Sequence, residues 1–399
     1  MPTTHSRPVR ILSLSCVYPN PGEPGLGVFV RSRLQHLAAL AELKIIAPVA
    51  LLDYGSMPER FTAVRGVPRR RWDGDIEVFH PRWIYTPFWG SVPCLFLRLL
   101  PVLLRIRKCF PFQVLDAHFG YPEGVVACLL TRIVQLPFTV TLRGSETMHA
   151  KYSSRRLLMR WSLRRAGRVI AVSERLRDFA ISLGVDACRV TTIPNGIDGA
   201  MFSMRSKSEC RKNFGIPQEA RAVLSAGLLI ERKGHHHVIR ALRALRHQGV
   251  NAELWIVGSS GREDRFERSI RTIVSDLQLS GVVHFLGHVR QETLAELMSA
   301  VDILCLASNR EGWPNVVHEA LACGTPVVAT NVGAIPALIQ SEEYGLIVPV
   351  DDQIALLEAL MTALRKTWNR ELISAWGRSR TWVAVAAEVL RVFERLTIA

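Results

Sequence analysis

The sequence predicts an α/β protein of two doubly wound, Rossmann-like domains, each a mostly parallel sheet with helices on both faces. Three observations lead there. At 399 residues the chain is long for a single hydrophobic core. Short apolar runs alternate with helical patterns, the rhythm of strand–helix–strand units. That rhythm breaks at a turn-rich stretch, IPNGIDGAMF at 193–202, and then starts again. The expected domains are residues 1–196 and 197–380, with a closing segment, 381–399, that forms a helix and returns to pack on the first domain.

In the first half the strand candidates are VRILSLS (9–15), ELKIIAP (42–48), FQVLDAH (112–118), FTVTLRG (138–144), RVIAVS (168–173) and RVTTIPNG (189–196). Between the first two, Val30, Leu34, Leu37, Ala38 and Ala41 recur at helical spacing. The second half offers AVLSAG (222–227), ELWIVG (253–258), VVHFLG (282–287), DILCLAS (302–308), PVVAT (326–330) and GLIVP (345–349). Unbroken apolar runs of this length suit strands covered on both faces, as a parallel sheet requires. The closing segment repeats Val385, Val389, Val392, Phe393 and Leu396 on one helical face. Open parallel sheets bind ligands beyond the carboxyl ends of their strands, so two of them facing each other define a cleft between domains.

Composition narrows the class. Hydrophobic residues make up 48% and charged residues 21%, which describes a globular protein with material for two interiors. Lys and Arg number 50 against 35 Asp and Glu, a formal charge of +15. That excess fits either an anionic partner or a basic surface kept soluble by repulsion. It does not read as nucleic-acid binding, because no aromatic–basic interleaving or recognised module accompanies it. The 8 cysteines are scattered without a Cys-x-x-Cys pair and read as reduced thiols of a cytoplasmic protein. The N-terminal stretch is too polar for a signal peptide. The most lipid-like segment, VPCLFLRLLPVLLRI at 92–106, is broken by Arg98 and Pro101 and falls short of a membrane span.

The densest chemistry lies in NREGWPNVVHEALACGTP, Asn309 to Pro326. Pro314 suits a first helical position. Val316, Val317, Ala320 and Leu321 give an apolar face, and Gly324 and Pro326 end the helix. Glu319 then lies in the helix and Glu311 just before it. The turn from Gly312 through Trp313, Pro314 and Asn315 to Val316 opens a helix N-terminus, where backbone N–H groups and the dipole favour an anion.

Three motifs in order, the hinge IPNGID, the run ERKGHHHVIRAL after the strand AVLSAG, and the pair Glu311-x7-Glu319, resemble the family-four retaining glycosyltransferases of GT-B architecture. The likeness covers nearly the whole chain and is strongest from about 190 to 350. It implies transfer of a sugar from a nucleotide-sugar, UDP- or GDP-linked, to a lipid-linked or glycan acceptor of the cell surface, with retention of configuration. A sugar-nucleotide epimerase or hydrolase on the same double fold is the alternative. The resemblance assigns Glu319 to the ribose hydroxyls and Glu311 to the hydroxyls of the donor sugar. Carboxylates accept hydrogen bonds from hydroxyls well, and their charge favours a nearby oxocarbenium. Lys233 and the amides of Gly312 to Val316 would hold the departing diphosphate. The family places a cation directly after Gly227. Here Leu228 stands in that position, and Arg232 is the candidate substitute. With Lys233 and the helix N-terminus holding the charge, no metal or other cofactor is expected.

In the first half, Gly25 and Gly27 sit between a strand and a helix, either as a simple loop or where a ligand approaches the backbone. His118 ends a strand and is either a satisfied core histidine or, as the resemblance implies, a catalytic group touching the donor sugar. Arg143 and Glu146 also follow a strand, as acceptor-side residues or as a structural turn. The consecutive histidines 235–237 point in different directions on a helix and cannot converge on a metal. GSSGRED (258–264) looks like a phosphate loop but reads as a strand cap. Arg156, Arg160, Arg164 and Arg168 recur every four residues as one basic stripe. With the apolar segment at 92–106, the stripe describes either a solvated face over a core helix or a peripheral contact with anionic lipid on the inner face of the cytoplasmic membrane.

Overall fold

The computed structural model describes residues 8–52, 66–84, 91–260 and 264–397. The chain divides into two compact units, Met1–Gly196 with Trp382–Ala399, and Ile197–Thr381. The sequence had placed the second boundary at 380/381.

The first unit carries β1 (Arg10–Leu14), β2 (Glu42–Ile46), β3 (Val49–Leu52), β4 (Arg70–Asp73), β5 (Ile76–Phe79), β6 (Arg82–Ile84), β7 (Val114–His118), β8 (Phe138–Leu142), β9 (Arg168–Ala171) and β10 (Val190–Thr192). Eight of these form one sheet in the order β10-β9-β8-β7-β1-β2-β5-β4, while β3 and β6 pair separately. Every pairing in the large sheet is parallel except β4 against β5. The strands β7 and β8 are buried at every position, which is why they read as unbroken apolar runs. The hairpin β4–β5 escaped the sequence reading: RRWD is charged and sits at the sheet edge, where one side of a strand stays in water.

The order reverses between β1 and β7, so the carboxyl ends of these neighbours, and the loops after Leu14 and His118, flank the switch point of the unit. The closing helix, Trp382–Thr397, belongs to this unit. Its Val385, Ala386, Val389 and Phe393 are buried with Leu34 and Leu37 of the helix Val28–Ala38. Gly167 leaves room for that helix, since a Cβ there would lie 2.7 Å from Leu396.

The second unit is a single parallel sheet of β11 (Arg221–Ala226), β12 (Ala252–Val257), β13 (Val283–Gly287), β14 (Ile303–Leu306), β15 (Val327–Thr330) and β16 (Gly345–Val348). Its order is β13-β12-β11-β14-β15-β16, with the switch point between β11 and β14. Apolar residues fill both faces of the sheet, Leu224 and Leu304 on one and Val223 and Ile303 on the other.

Two local expectations change. The helix of the glutamate motif begins at Asn315, and Pro314, at φ −78° and ψ 88°, is the residue before it. The basic stripe shortens to Arg156, Arg160 and Arg164, because the helix ends at Leu163 and Arg168 opens β9.

Candidate functional site

In the second unit the switch point is built by the segments leaving β11 and β14. After Gly227 the chain makes a short turn, Glu231–Lys233, and enters the helix His235–His247. Gly234 joins the two at φ +71°, and a Cβ there would fall 1.9 Å from the carbonyl oxygen of Ala307, so only glycine lets this turn press on the end of β14. The contact brings the cations of the turn to the acid beyond β14. Lys233 Nζ donates to Glu311 Oε1 at 2.6 Å, and Ser308 Oγ donates to the same oxygen at 2.8 Å. Arg232 turns toward the elbow: its Nη1 donates to Arg310 O at 2.9 Å and lies 3.7 Å from Glu311 Oε2. Leu228 is 48% exposed beside them and offers no charge.

The elbow itself is braced from behind, with Ala334 N donating to Gly312 O at 3.1 Å. Pro314 has no N–H, and its carbonyl caps Val317 and His318. Pro314 therefore shapes the turn without donating to it. Trp313 packs against the core, edge-on to His318 at 5.7 Å.

The two glutamates differ sharply in their surroundings. Glu311 is clasped by a lysine, a serine and, at longer range, an arginine. The Glu319 carboxyl has no hydrogen bond or ion pair among the described residues, and burial pushes it up to about 7. A group with unspent acceptors in that state is poised to take hydroxyl donors from a ligand.

The three histidines are spent separately. His235 meets Ser225 Oγ at 2.8 Å and Leu228 O at 3.1 Å, His237 meets Gln353 at 3.3 Å, and His236 packs edge-on to Phe266. Among the described residues no group of three or more His, Cys, Asp or Glu is arranged to hold a metal. Of GSSGRED, residues 261–263 lie outside the described chain. The rest caps strands, with Gly258 N on Gly287 O and Leu229 N on Ser259 O. The expectation of no metal also rested on reading the chain as free of Asp-x-Asp, which is a misreading: Asp73-Gly74-Asp75 is such a triplet, and it turns β4 into β5. Asp73 is already held by Tyr18 Oη at 2.8 Å and by the Arg31 guanidinium at 2.7 Å.

The first unit gathers a buried polar network at the ends of β7 and β8. Asp116 accepts from Thr139 Oγ1 at 2.8 Å and pairs with Arg33 at 3.4 Å. Burial opposes its charge, but Arg33 and His118 outweigh burial and hold the carboxyl below its ordinary range. His118 is fully buried, with Nε2 3.1 Å from Asp116 Oδ2. Its Nδ1 faces the Arg143 guanidinium at 3.0 and 3.2 Å. A guanidinium only donates, so Nδ1 accepts and the ring is neutral. Burial first, then Arg143 and Arg33, bring the imidazole down to about 4. Arg143 also donates to Asn195 Oδ1 at 3.2 Å.

Glu146 is a latch between turns. Its carboxylate accepts from the amides of Gly120 at 3.0 Å, Arg143 at 3.2 Å and Gly144 at 2.7 Å. Gly27 precedes the helix Val28–Ala38 at φ +68°, where a Cβ would meet Val17 O at 2.3 Å. One residue of this switch point went unread in the sequence. Glu123 accepts from Cys16 N at 3.0 Å, its Oε2 is buried without a partner, and burial pushes its carboxyl up to about 7. In sequence it looks like an ordinary first-turn acid, and only the fold brings it to the loop after β1.

Comparison with known proteins identifies the family and the fold. Residues 206–380 match the family model for glycosyl transferases group 1, and residues 25–200 match that for glycosyltransferase family 4. A phosphatidyl-myo-inositol mannosyltransferase of Mycolicibacterium smegmatis is 31% identical over 81% of this chain and 82% of its own. The putative teichuronic acid biosynthesis glycosyltransferase TuaC of Bacillus subtilis is 27% identical over 88% of each. Among solved structures, sucrose-phosphate synthase from Thermosynechococcus elongatus superposes with a TM-score of 0.79 at 20% identity, covering 98% of this chain and 99% of that one. Anabaena Alr3699/HepE in complex with UDP-glucose gives 0.74 at 19%, covering 97% and 100%. With two doubly wound units, a lysine–glutamate pair at the switch point of the second and these relatives along most of its length, the chain belongs to the family-four glycosyltransferases of GT-B fold.

Proposed function

We propose that this glycosyltransferase moves a sugar from a UDP- or GDP-linked donor to a lipid-linked or glycan acceptor of the cell surface, with retention of configuration and without a metal. The observation that carries the reading is the contrast at the second switch point, where Lys233 is held against Glu311 while Glu319 stands unpartnered. Lys233, Arg232 and the turn from Gly312 to Val316 take the diphosphate, Glu319 takes the ribose hydroxyls and Glu311 those of the donor sugar. The bond from the anomeric carbon to the phosphate oxygen breaks, and its electron pair leaves with the diphosphate. The acceptor oxygen bonds to that carbon from the same face, and its proton passes to a diphosphate oxygen. Fixed cations matter because negative charge grows on the leaving group in the transition state. The related HepE was solved with UDP-glucose, and relatives are named for mannosyl transfer to phosphatidyl-myo-inositol and for teichuronic acid biosynthesis, which supports this donor and acceptor class.

His118 keeps its proposed place near the donor sugar as a neutral imidazole held by Arg143, and Arg143 and Glu146 shape the acceptor side. Peripheral attachment to membrane is part of the same proposal. No helix among the described residues is long and apolar enough to cross a bilayer. The helix Ser91–Cys109 buries Leu95, Leu99 and Leu103 but leaves Leu97 68% exposed among Arg98, Arg105 and Lys108.

The test is product analysis with labelled UDP- and GDP-sugars, with and without a phospholipid or polyprenyl-phosphate acceptor, in excess EDTA. Acceptor-dependent release of nucleoside diphosphate with a glycosylated product supports the reading. An epimerised or hydrolysed sugar without acceptor, or activity that EDTA abolishes and Mg²⁺ or Mn²⁺ restores, contradicts it.

A further inference from the structure

At the carboxyl end of the first unit's sheet, the loop leaving β7 and the segment leaving β8 meet in a cluster that no part of the donor chemistry uses. Tyr121 follows His118 by three positions, and His149 follows Glu146 by three. Their rings lie 5.1 Å apart, and Ser91 Oγ fixes the Tyr121 hydroxyl at 3.3 Å. The Arg155 guanidinium lies over two aromatic faces, 5.4 Å from the Tyr121 ring centre and 4.6 Å from that of Tyr152. Arg155 also donates from Nη1 to His149 Nδ1 at 3.2 Å.

That last contact fixes the proton inventory. Arginine cannot accept, so His149 Nδ1 must, and the imidazole, which burial and then Arg155 hold below its ordinary range, carries its hydrogen on Nε2. The cluster therefore presents the unspent guanidinium N–H groups, an imidazole N–H and the hydroxyl of Tyr152, a residue 60% exposed. Against these donors stands no acid. Among the described residues no carboxylate pairs with Arg155, and the nearby Glu146 is occupied by backbone amides. From Thr147 to Arg168 the chain carries seven Lys and Arg and no Asp or Glu. A stacked, half-buried guanidinium flanked only by donors is complementary to a tetrahedral oxyanion, which accepts in several directions at once.

We propose that Arg155, His149 and Tyr152 form a subsite for a phosphate group carried by the acceptor, a proposal that rests on the glycosyltransferase reading. The phosphate is either part of a soluble phosphorylated acceptor or the headgroup of a lipid. In both cases the planar fork of Arg155, steadied by the two tyrosines, binds the oxygens, and His149 Nε2–H adds a third donor.

The test follows the His149 side-chain resonance of the full chain during titration with inorganic phosphate, in wild type, Arg155→Met and Arg155→Lys. Flotation with phosphatidylcholine vesicles, with and without phosphatidic acid, runs in parallel. Phosphate should move the His149 resonance saturably. Affinity should fall about tenfold or more in Arg155→Met, and substantially in Arg155→Lys, which keeps the charge and loses the fork. Nucleotide-sugar binding, measured in all three proteins, should be unchanged, which also certifies their folding. Phosphatidic acid binding that inorganic phosphate competes away assigns the site to a lipid headgroup, and a response to soluble phosphate alone assigns it to a soluble acceptor. A His149 resonance that phosphate leaves in place, or equal affinity in wild type and Arg155→Met, overturns the proposal. Failure of the wild type to bind any nucleotide-sugar would instead count against the glycosyltransferase reading.

Discussion

Lys233 Nζ and Glu311 Oε1 are 2.6 Å apart, and the lysine is drawn from the segment after β11 while the glutamate is drawn from the segment after β14. The pair thus ties together the two loops at the sheet's switch point. It also sets the carboxylate's direction, and Ser308 Oγ, at 2.8 Å from the same oxygen, sets it a second time. Glu311→Gln should lower turnover more than donor affinity, because the charge near the reacting carbon counts most when that carbon becomes positive. Ser308→Ala should show the same split more weakly, by about tenfold in kcat, with Ser308→Thr restoring part of it. Steady-state kinetics with separate donor binding checks both. An effect confined to donor binding would place Glu311 elsewhere.

Glu319 predicts a pH dependence of opposite sign for binding and for folding. The free carboxyl titrates at about 7 because burial disfavours its charge. Ribose hydroxyls are donors and prefer the carboxylate, so nucleotide-sugar affinity should rise as pH increases toward 7 and level off above it. Folding runs the other way. The folded value lies above the ordinary 4.5, so the carboxyl's contribution to stability is complete below that value and is lost as pH climbs through about 7. Titration calorimetry and denaturant unfolding on wild type and Glu319→Gln test this, and both slopes should flatten in the variant. Affinity in the variant should fall by roughly 1.5 to 3 kcal/mol at neutral pH.

The closing helix makes a prediction about stability. Phe393 is fully buried between that helix and Leu34 and Leu37 of the helix Val28–Ala38. Phe393→Ala should cost about 3 to 5 kcal/mol, lowering the unfolding transition of the first unit while leaving nucleotide-sugar binding by the second intact. Thermal unfolding with and without donor separates the two.

Much of this architecture was legible from the chain. The apolar runs that became β1, β7, β8, β11 and β14 are buried on both faces, and such strands announce themselves by composition. The edge hairpin β4–β5 did not, because the charged edge strand RRWD buries only Asp73 and the buried run of β5, IEVF, is short and interrupted by Glu77. The pairing of Lys233 with Glu311, 78 positions apart, depends on Gly234 pressing against Ala307, a contact that no local pattern encodes. Glu123 was missed for the same reason, and Pro314 was misplaced by one residue because its ψ is set by the elbow. For Glu146 the sequence left an acceptor contact and a structural turn both open, and only the fold shows its carboxylate ringed by three backbone amides.

Membrane attachment is tested by flotation on anionic and neutral vesicles at low and high salt. Arg156 and Arg160 lie exposed on the helix Ser153–Leu163 with Leu157 at 66% exposure, and Arg164 caps its end. Each basic side chain near an anionic surface is worth on the order of 1 kcal/mol, and salt screens it. Recovery should require anionic lipid, fall at high salt and be lost when Arg156, Arg160 and Arg164 are changed to Glu. Equal recovery on both lipids would remove this stripe from the account.

The central claim is that Lys233 stabilises a nucleoside diphosphate as it leaves a sugar that keeps its configuration. The most direct measurement is single-turnover transfer at saturating donor, with the product's anomeric configuration read by NMR, in wild type and Lys233→Ala. The account predicts a product with the donor's configuration and a rate about a hundredfold lower in the variant, the usual scale for losing one preorganised charge partner. An inverted product, or a variant that turns over at the wild-type rate, would contradict it.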